Sequence, residues 1–392
     1  MTLPDDVYDG SGLLLLAAGS RITPRFLHLL TKRGVDRVEL VAAPVERAAP
    51  ARAVPPAAGP ERLHSDASRE LDESLAAALQ VPLPLRPVKS WRRPRLSIEN
   101  LQAEANLGVE RHQETCLAVA ELADSVLTGK SVNAVEVRRA VDKFVDMAAL
   151  DFDLLPLIMS MQQVEGDYLY RHCVNVTLLS VAMASHLGLN RNTIAEIGLG
   201  GMLHDIGMLR VSPDIRLAPR PLTVEEWCEI HRHPLYTLDM IEPMRRVPRT
   251  VKLISYQVHE RLDGGGYPRQ RYDRQLHQAA QIVSIADVYA AMTSPRPHRP
   301  AMRPYGAAKL ILTAASRGRF NRELVRAFLD TVSLFPIGSR VRLSNGTLAR
   351  VLRANPGLHT RPVIEELTPD GHLSGCIIDL SHEQALCVVK TE

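Results

Sequence analysis

Cysteine is scarce in this sequence and never paired at short spacing. The five cysteines, Cys116, Cys173, Cys228, Cys376 and Cys387, are scattered, odd in number and without a Cys-x-x-Cys step. That argues against a disulfide framework and against a structural zinc site, and it agrees with a reducing compartment. No basic segment followed by an apolar one opens the chain, and the apolar run at residues 13–16 is far too short to span a bilayer. A Lys/Arg stripe is missing as well. Lys and Arg total 47 against 44 Asp and Glu, a net charge of +3, so the basic residues read as solvated faces and not as a footprint for DNA. The expectation is a soluble cytoplasmic protein that has neither a membrane nor DNA as partner.

Apolar residues are plentiful. They make up 45% of 392 positions, enough for roughly two to three domains with real cores. Four stretches differ in character. Residues 1–42 read as a small α+β unit, with a turn at Asp9-Gly10-Ser11-Gly12, a strand over 13–17 and a closing strand over 37–41. Between the strands, Thr23-Pro24 starts a short helix as an N-cap followed by Pro does, and Gly34 stops it. Residues 43–96 form a Pro/Ala-rich linker, interrupted by one short helix-like segment, whose composition buries too little apolar surface to fold.

Residues 97–335 are helical. Val119, Leu122 and Val126 fall at i, i+3 and i+7, and Val137, Val141, Phe144 and Val145 at i, i+4, i+7 and i+8. Such stripes mark amphipathic helices packing on one another and carry no chemistry. Further helices are expected over 170–187, 193–203, 251–262 and 281–293. Thr223 and Glu226 have capping-box spacing for one more, ending near His233-Pro234. Residues 336–392 alternate as short strands over 348–352, 363–367, 376–380 and 385–389, with a hairpin signal at Ser344-Asn345-Gly346. They are expected to form a small antiparallel β-barrel or curled sheet used in docking or scaffolding.

The chemistry concentrates between residues 167 and 294. In Leu203-His204-Asp205-Ile206-Gly207 an imidazole and a carboxylate diverge from one backbone point at the end of an apolar helix. That suits two metal ions sharing a bridging carboxylate. His172, His233, His259 and Asp287 also lie on helices or at their ends. A single helix-borne His is usually core. Six such side chains on one bundle are the donor set that iron, manganese or zinc takes, and bundle interiors house two-metal sites.

The segments around these residues resemble one family in order. They are Tyr170-Arg171-His172-Cys173-Val174-Asn175, His204-Asp205-Ile206-Gly207, Arg232-His233-Pro234, His259-Glu260-Arg261 with Asp263-Gly264 and Gly266-Tyr267-Pro268, Ala286-Asp287-Val288-Tyr289, and Arg296-Pro297 with Arg299. Over about residues 165–330 the chain is similar to the HD-GYP family, a branch of the HD phosphohydrolases that hydrolyses cyclic di-GMP at an iron or manganese centre. The resemblance implies a mainly α fold, an HD-type helical bundle with the N-terminal α+β unit and the C-terminal β-barrel as accessory pieces. It implies a metal-dependent phosphodiesterase that converts cyclic di-GMP to pGpG in bacterial second-messenger signalling, with GMP, from a second turnover, left open as the alternative product.

The residue roles implied by the resemblance are as follows. His204 and Asp205 are catalytic, and Asp205 bridges two divalent cations, Fe or Mn. His172, His204 and Asp287 complete one ion, and His233 and His259 bind the other. Gly266, Tyr267, Arg296 and Arg299 face the cyclic dinucleotide, where guanidinium forks suit phosphate. Signalling-protein partners and a homodimer are compatible with it. Four positions depart from the family pattern. Met208 stands in place of a Lys, with Arg210 nearby as a substitute cation, and Val258 in place of a second His. Tyr168 occupies the site of a Glu that serves a third metal, which limits the expected ions to two, and Ala290 replaces an Asp. These changes leave open a catalytically degenerate domain that acts as a cyclic-dinucleotide sensor or protein-interaction module, or a hydrolase of another nucleotide.

Overall fold

The computed structural model describes residues 83–86, 95–128, 130, 134–161, 167–272, 275–296 and 299–391, together with a strand pair near the N-terminus. In that pair β1 (Val7–Tyr8) runs antiparallel to β2 (Leu14–Leu16), the latter inside the strand expected over 13–17. The expected helix from Thr23, the strand over 37–41 and most of the linker lie outside the described residues.

The helical region opens with α1 (Ile98–Leu127), whose first turn is capped by the Ser97 hydroxyl accepting from the Asn100 N–H. It continues through α2 (Val135–Leu150) and α3 (Leu154–Met161). Both sequence stripes are core: Val119 and Leu122 are buried on α1, and Val137, Val141, Phe144 and Val145 on α2. At the centre stands α4 (Tyr168–His186), buried on nearly every side and capped by Asp167, which accepts from the Leu169 N–H. A helix apolar all round must be enclosed by others. Here α1, α2, α3 and α5 (Arg191–Leu203) enclose it with α10 (Gln278–Thr293) and α12 (Arg322–Val332).

After α5 the chain makes a 3-10 turn at Ile206–Arg210, then α6 (Pro213–Arg216) and α7 (Val224–Ile230). Both halves of the Thr223/Glu226 capping box are formed. The helix expected to run on towards His233 instead stops at Ile230, and α8 (His233–Ile241) starts afresh with Pro234 in its first turn. Likewise the helix expected over 251–262 is α9 (Arg249–Gln257) and ends five residues early. The Glu260 N–H turns back to the Gln257 carbonyl at 3.0 Å, and the His259 carbonyl accepts from the Tyr267 N–H at 3.2 Å. Those bonds take the chain out of the helix and leave His259 in a turn. The last long helices are α10, α11 (Pro304–Ser316) and α12.

The C-terminal strands are β3 (Arg340–Leu343), β4 (Leu348–Arg353), β5 (Val363–Leu367), β6 (Leu373–Asp379) and β7 (Val388–Thr391). They form one antiparallel sheet in the order β6-β5-β4-β3-β7. The edge strands β6 and β7 do not pair with each other among the described residues, so the expected barrel is an open sheet. Its buried face carries Val341, Leu343, Val351, Ile364 and Val388 and packs on Phe335. A sheet with one face covered needs no closure to bury its apolar side. Arg353 anchors it to the helices. One guanidinium nitrogen lies 2.9 Å from Asp151 Oδ2 and 3.1 Å from Asp153 Oδ2, and the other donates to the Leu96 carbonyl. No helix among the described residues is long and apolar enough to cross a membrane.

Candidate metal centre

Six side chains far apart in sequence meet inside the bundle. His172 projects from the early part of α4, and His204 and Asp205 follow the last turn of α5. His233 is the first residue of α8, His259 lies just beyond α9, and Asp287 is on α10. All six are buried. Asp205 touches every imidazole. Its Oδ1 is 3.3 Å from His204 Nε2, 3.1 Å from His233 Nε2 and 3.2 Å from His259 Nε2, and its Oδ2 is 3.6 Å from His172 Nε2. Asp287 closes the other side, with Oδ1 3.1 Å from His172 Nε2 and Oδ2 3.4 Å from His259 Nδ1. Two overlapping triads could each hold a metal ion: His172, His204 and Asp287, and His204, Asp205 and His259. His233 Nε2 approaches the second triad, 2.9 Å from His259 Nε2.

The backbone orients the rings. His204 Nδ1 is 2.8 Å from the Gly201 carbonyl, and His233 Nδ1 is 2.7 Å from the Ile230 carbonyl. Each pairing assigns the ring proton to Nδ1 and turns the Nε2 lone pair inward, as the outer hydrogen bonds of metal-ligating histidines do. His204 Nε2 is buried with no hydrogen-bond partner, the condition of a donor atom shaped for a cation. Burial opposes ionisation of both carboxylates, yet the surrounding imidazoles, His204 foremost at Asp205 and His172 at Asp287, hold them well below the ordinary carboxylate range. Burial also pulls on the imidazoles. His172 and His233 go down, whereas the carboxylates outweigh burial at His259 and lift His204 to about 9. Protons held in this way are the ones that divalent cations displace.

Two glycines set the distances. A Cβ at Gly207 would strike the His233 carbonyl and the Thr237 backbone, and would lie 2.6 Å from Thr237 Oγ1. The bare backbone lets the turn after Asp205 lie directly on the start of α8, where the Thr237 hydroxyl donates to the His204 carbonyl and accepts from the Gly207 N–H. Gly266 serves the turn that holds His259. A Cβ there would meet the backbone of His259, Glu260 and Arg261, so its packing neighbour is this turn.

The other residues predicted to face substrate divide. The half-buried Tyr267 ring stacks on His259, centroids 4.9 Å apart at 13°, and on His231, 4.0 Å apart at 17°. Arg296 lies over the Tyr168 ring at 5.8 Å, and its charge bears on His172 and Tyr267. Arg299 instead donates to the carbonyls of Ala291, Met292 and Pro300 and so closes the end of α10. Arg210 is half exposed beside Asp239 at 3.7 Å. His231 escaped the sequence reading. Burial lowers it to about 4, so it stacks as a neutral ring, and its only signal was the alternation in His231-Arg232-His233. The departures from the family pattern are absorbed by packing. Met208 joins a small apolar cluster with Leu169, Cys173 and Val211, and Val258 and Ala290 are fully buried in the main core.

The fold and this cluster define an HD-domain protein, and the HD-domain sequence pattern matches residues 145–324. The chain is 32% identical over 294 residues to the cyclic di-GMP phosphodiesterase PA4108 of Pseudomonas aeruginosa, which covers 73% of this chain and 68% of that protein. It is 30% identical over 171 residues to the 3′3′-cGAMP-specific phosphodiesterase 1 of Vibrio cholerae, covering 43% of this chain and 39% of that one. The solved structure of Bd1817, an HDG"Y"P protein from Bdellovibrio bacteriovorus, matches at a TM-score of 0.46 and 16% identity over 84% of this chain and 94% of that chain. The chain belongs to the HD-GYP family of HD-domain phosphodiesterases.

Proposed function

We propose that this chain hydrolyses cyclic di-GMP to pGpG, and pGpG to GMP in a second turnover, at two divalent cations, Fe or Mn. The observation that carries this is Asp205, one carboxylate within 3.1 to 3.6 Å of four imidazoles, as a ligand shared by two ions has to be. In this reading His172, His204 and Asp287 would hold one cation and His233 and His259 the other, with Asp205 as the ligand they would share. The relatives' activities on cyclic di-GMP and on 3′3′-cGAMP support a cyclic dinucleotide as substrate.

When bound, the cations supply Lewis-acid polarisation of a phosphoryl oxygen and a water acidic enough to attack phosphorus near neutral pH. The protein's part is positional and electrostatic. Carbonyls of Gly201 and Ile230 keep Nε2 of His204 and His233 turned inward. Tyr267, sandwiched between His231 and His259, fixes the His259 ring. Arg296 offers the fixed positive charge that a phosphodiester approaching the cluster meets, and guanidinium suits that geometry. Arg299 supports the segment from behind through the α10 carbonyls. The same reading treats 1–42 and 336–392 as accessory units, joined to the catalytic helices at 97–335 by the 43–96 linker and by direct packing, and assigns protein partners to them.

Anaerobic purification followed by metal analysis and a turnover assay tests the proposal. About two ions per chain are expected, as in two-metal hydrolytic centres, with pGpG released from cyclic di-GMP faster than linear product from 3′3′-cGAMP. Asp205→Asn should lose both metal and turnover, by roughly 100-fold or more, because it weakens the shared ligand. Tight cyclic di-GMP binding with no product at saturating Mn²⁺ or Fe²⁺ would refute the enzyme in favour of a sensor.

A further inference from the structure

A cleft of about 420 Å³ lies between the helices and the C-terminal sheet, and none of the six cluster residues lines it. Its size is within the range of small-molecule sites, roughly 300–1,000 Å³. Asn175 of α4 and Tyr289 of α10 are its buried polar residues, Met159 and Ile337 give it apolar wall, and the exposed Arg303 and Arg340 also line it.

The two buried polar side chains are incompletely bonded. Asn175 is 7% exposed, and its Oδ1 meets His112 Nε2 at 3.0 Å, but its amide nitrogen has no partner among the described residues. Tyr289 is 5% exposed with its ring edge-on to Phe328 at 5.1 Å, and its hydroxyl has no partner there either. Neither atom is among the fully buried side-chain atoms that lack a partner, so both open onto the cleft and can hydrogen-bond to a molecule held there. The charges lining the cleft specify the sign of that molecule. Among the described residues the Arg303 guanidinium bonds to the Thr391 carbonyl at 3.3 Å, that of Arg340 has no partner, and no carboxylate lines the cleft. Guanidinium groups suit phosphate geometry, and both arginines line this cleft.

We propose that this cleft is a second ligand site, for a nucleotide, with its phosphates on Arg303 and Arg340 and its sugar or base against Asn175 and Tyr289. Asn175 lies three residues beyond His172 on α4, and Tyr289 two beyond Asp287 on α10. A molecule held there presses on both helices that carry the metal cluster, and joins them to the sheet through Arg340. The inference is independent of the hydrolytic reading, since it uses none of that site's residues.

The test is calorimetric titration of the full chain carrying Asp205→Asn with GMP, GTP and inorganic phosphate. A nucleotide should bind once per chain, at least about tenfold more tightly than phosphate. Arg340→Ala, an exposed position, should weaken it about tenfold or more by removing a charge-assisted bond, and Tyr289→Phe about three- to tenfold by removing one hydroxyl bond. If Tyr289→Phe perturbs folding, Arg340→Ala decides alone. The proposal fails if neither nucleotide binds, or if binding ignores Arg340→Ala. It also fails if phosphate binds as tightly as the nucleotides, which would mark a simple anion site.

Discussion

Replacing each of two neighbouring glycines by alanine separates a loop that positions His259 from one that merely passes by. A Cβ at Gly266 would meet Glu260 Cα, together with Arg261 N and His259 O at 2.5 Å. All three are backbone atoms, so no rotamer change relieves the collision. At Gly265 the nearest atom is Asp263 Oδ1 at 3.2 Å, the far end of a side chain that can swing away. Overpacking against backbone costs about 1–3 kcal/mol. Pushing the loop outward also breaks the 3.2 Å bond from the Tyr267 N–H to the His259 carbonyl, worth about 1 kcal/mol. Gly266→Ala should therefore cost about 2–4 kcal/mol, and Gly265→Ala no more than about 0.5 kcal/mol. At roughly 2–4 °C per kcal/mol for a domain of this size, Tm should fall by roughly 5–15 °C in the first variant and by no more than about 2 °C in the second. Metal content measured on the same preparations adds the functional half. Tyr267 stacks on His259, so Gly266→Ala should release metal and Gly265→Ala should retain it. Equal melting temperatures for the two variants, or a Gly266→Ala protein with full metal content, would refute the packing account.

Three other outcomes follow from the structure. Arg353→Met should cost about 3–5 kcal/mol, because it strands Asp151 and Asp153 as buried carboxylates with their shared partner removed; a melting temperature equal to the parent's would contradict this. Burial, then repulsion from Asp151, raises Asp153 to about 6 against the pull of Arg95 and Arg353. The folded chain thus holds that proton more tightly than the unfolded one, a stabilisation complete below about pH 4 and lost as pH rises through 6. In Asp153→Asn the fall in unfolding free energy from urea melts between pH 4 and pH 7 should shrink by an amount on the order of 2–3 kcal/mol, and an unaltered profile would count against it. His231→Ala should lower stability by about 1 kcal/mol through the lost Tyr267 stack while His231→Phe restores it, with thermal melts as the check; an equal loss in both would mean that the imidazole nitrogens, not the ring face, matter.

Much of the fold was legible because its cues are local. The stripes on α1 and α2 read as core because a 3.6-residue period dictates which face is covered, and the Thr223/Glu226 box formed because both partners lie within one turn. What failed was set by distant chain. The end of α9 depends on Tyr267 reaching the His259 carbonyl, and the Leu262 N–H is taken by the Arg319 carbonyl at 3.2 Å. Arg319 is not visible in a window around residue 260, and nothing local says that Tyr267 folds back. Arg299 reads as a phosphate ligand in sequence, and only the fold shows the α10 carbonyls that occupy it. Strand alternation gives a covered face but not closure, which depends on whether β6 and β7 meet.

The site was more legible than the fold, and energetics explains why. Four imidazoles and two carboxylates packed together in a core oppose folding, since each charge or unpaired ring nitrogen taken from water is costly. Apolar residues at the same positions would pack without that cost, and at Met208, Val258 and Ala290 the chain does fill family-polar positions with buried apolar groups. The exchange stops short of the six donors. His204 Nε2 is even left buried without a hydrogen bond, a deficit that a cation held by the cluster would repair. Polar residues that fold stability alone would discard are the ones a sequence pattern can pick out.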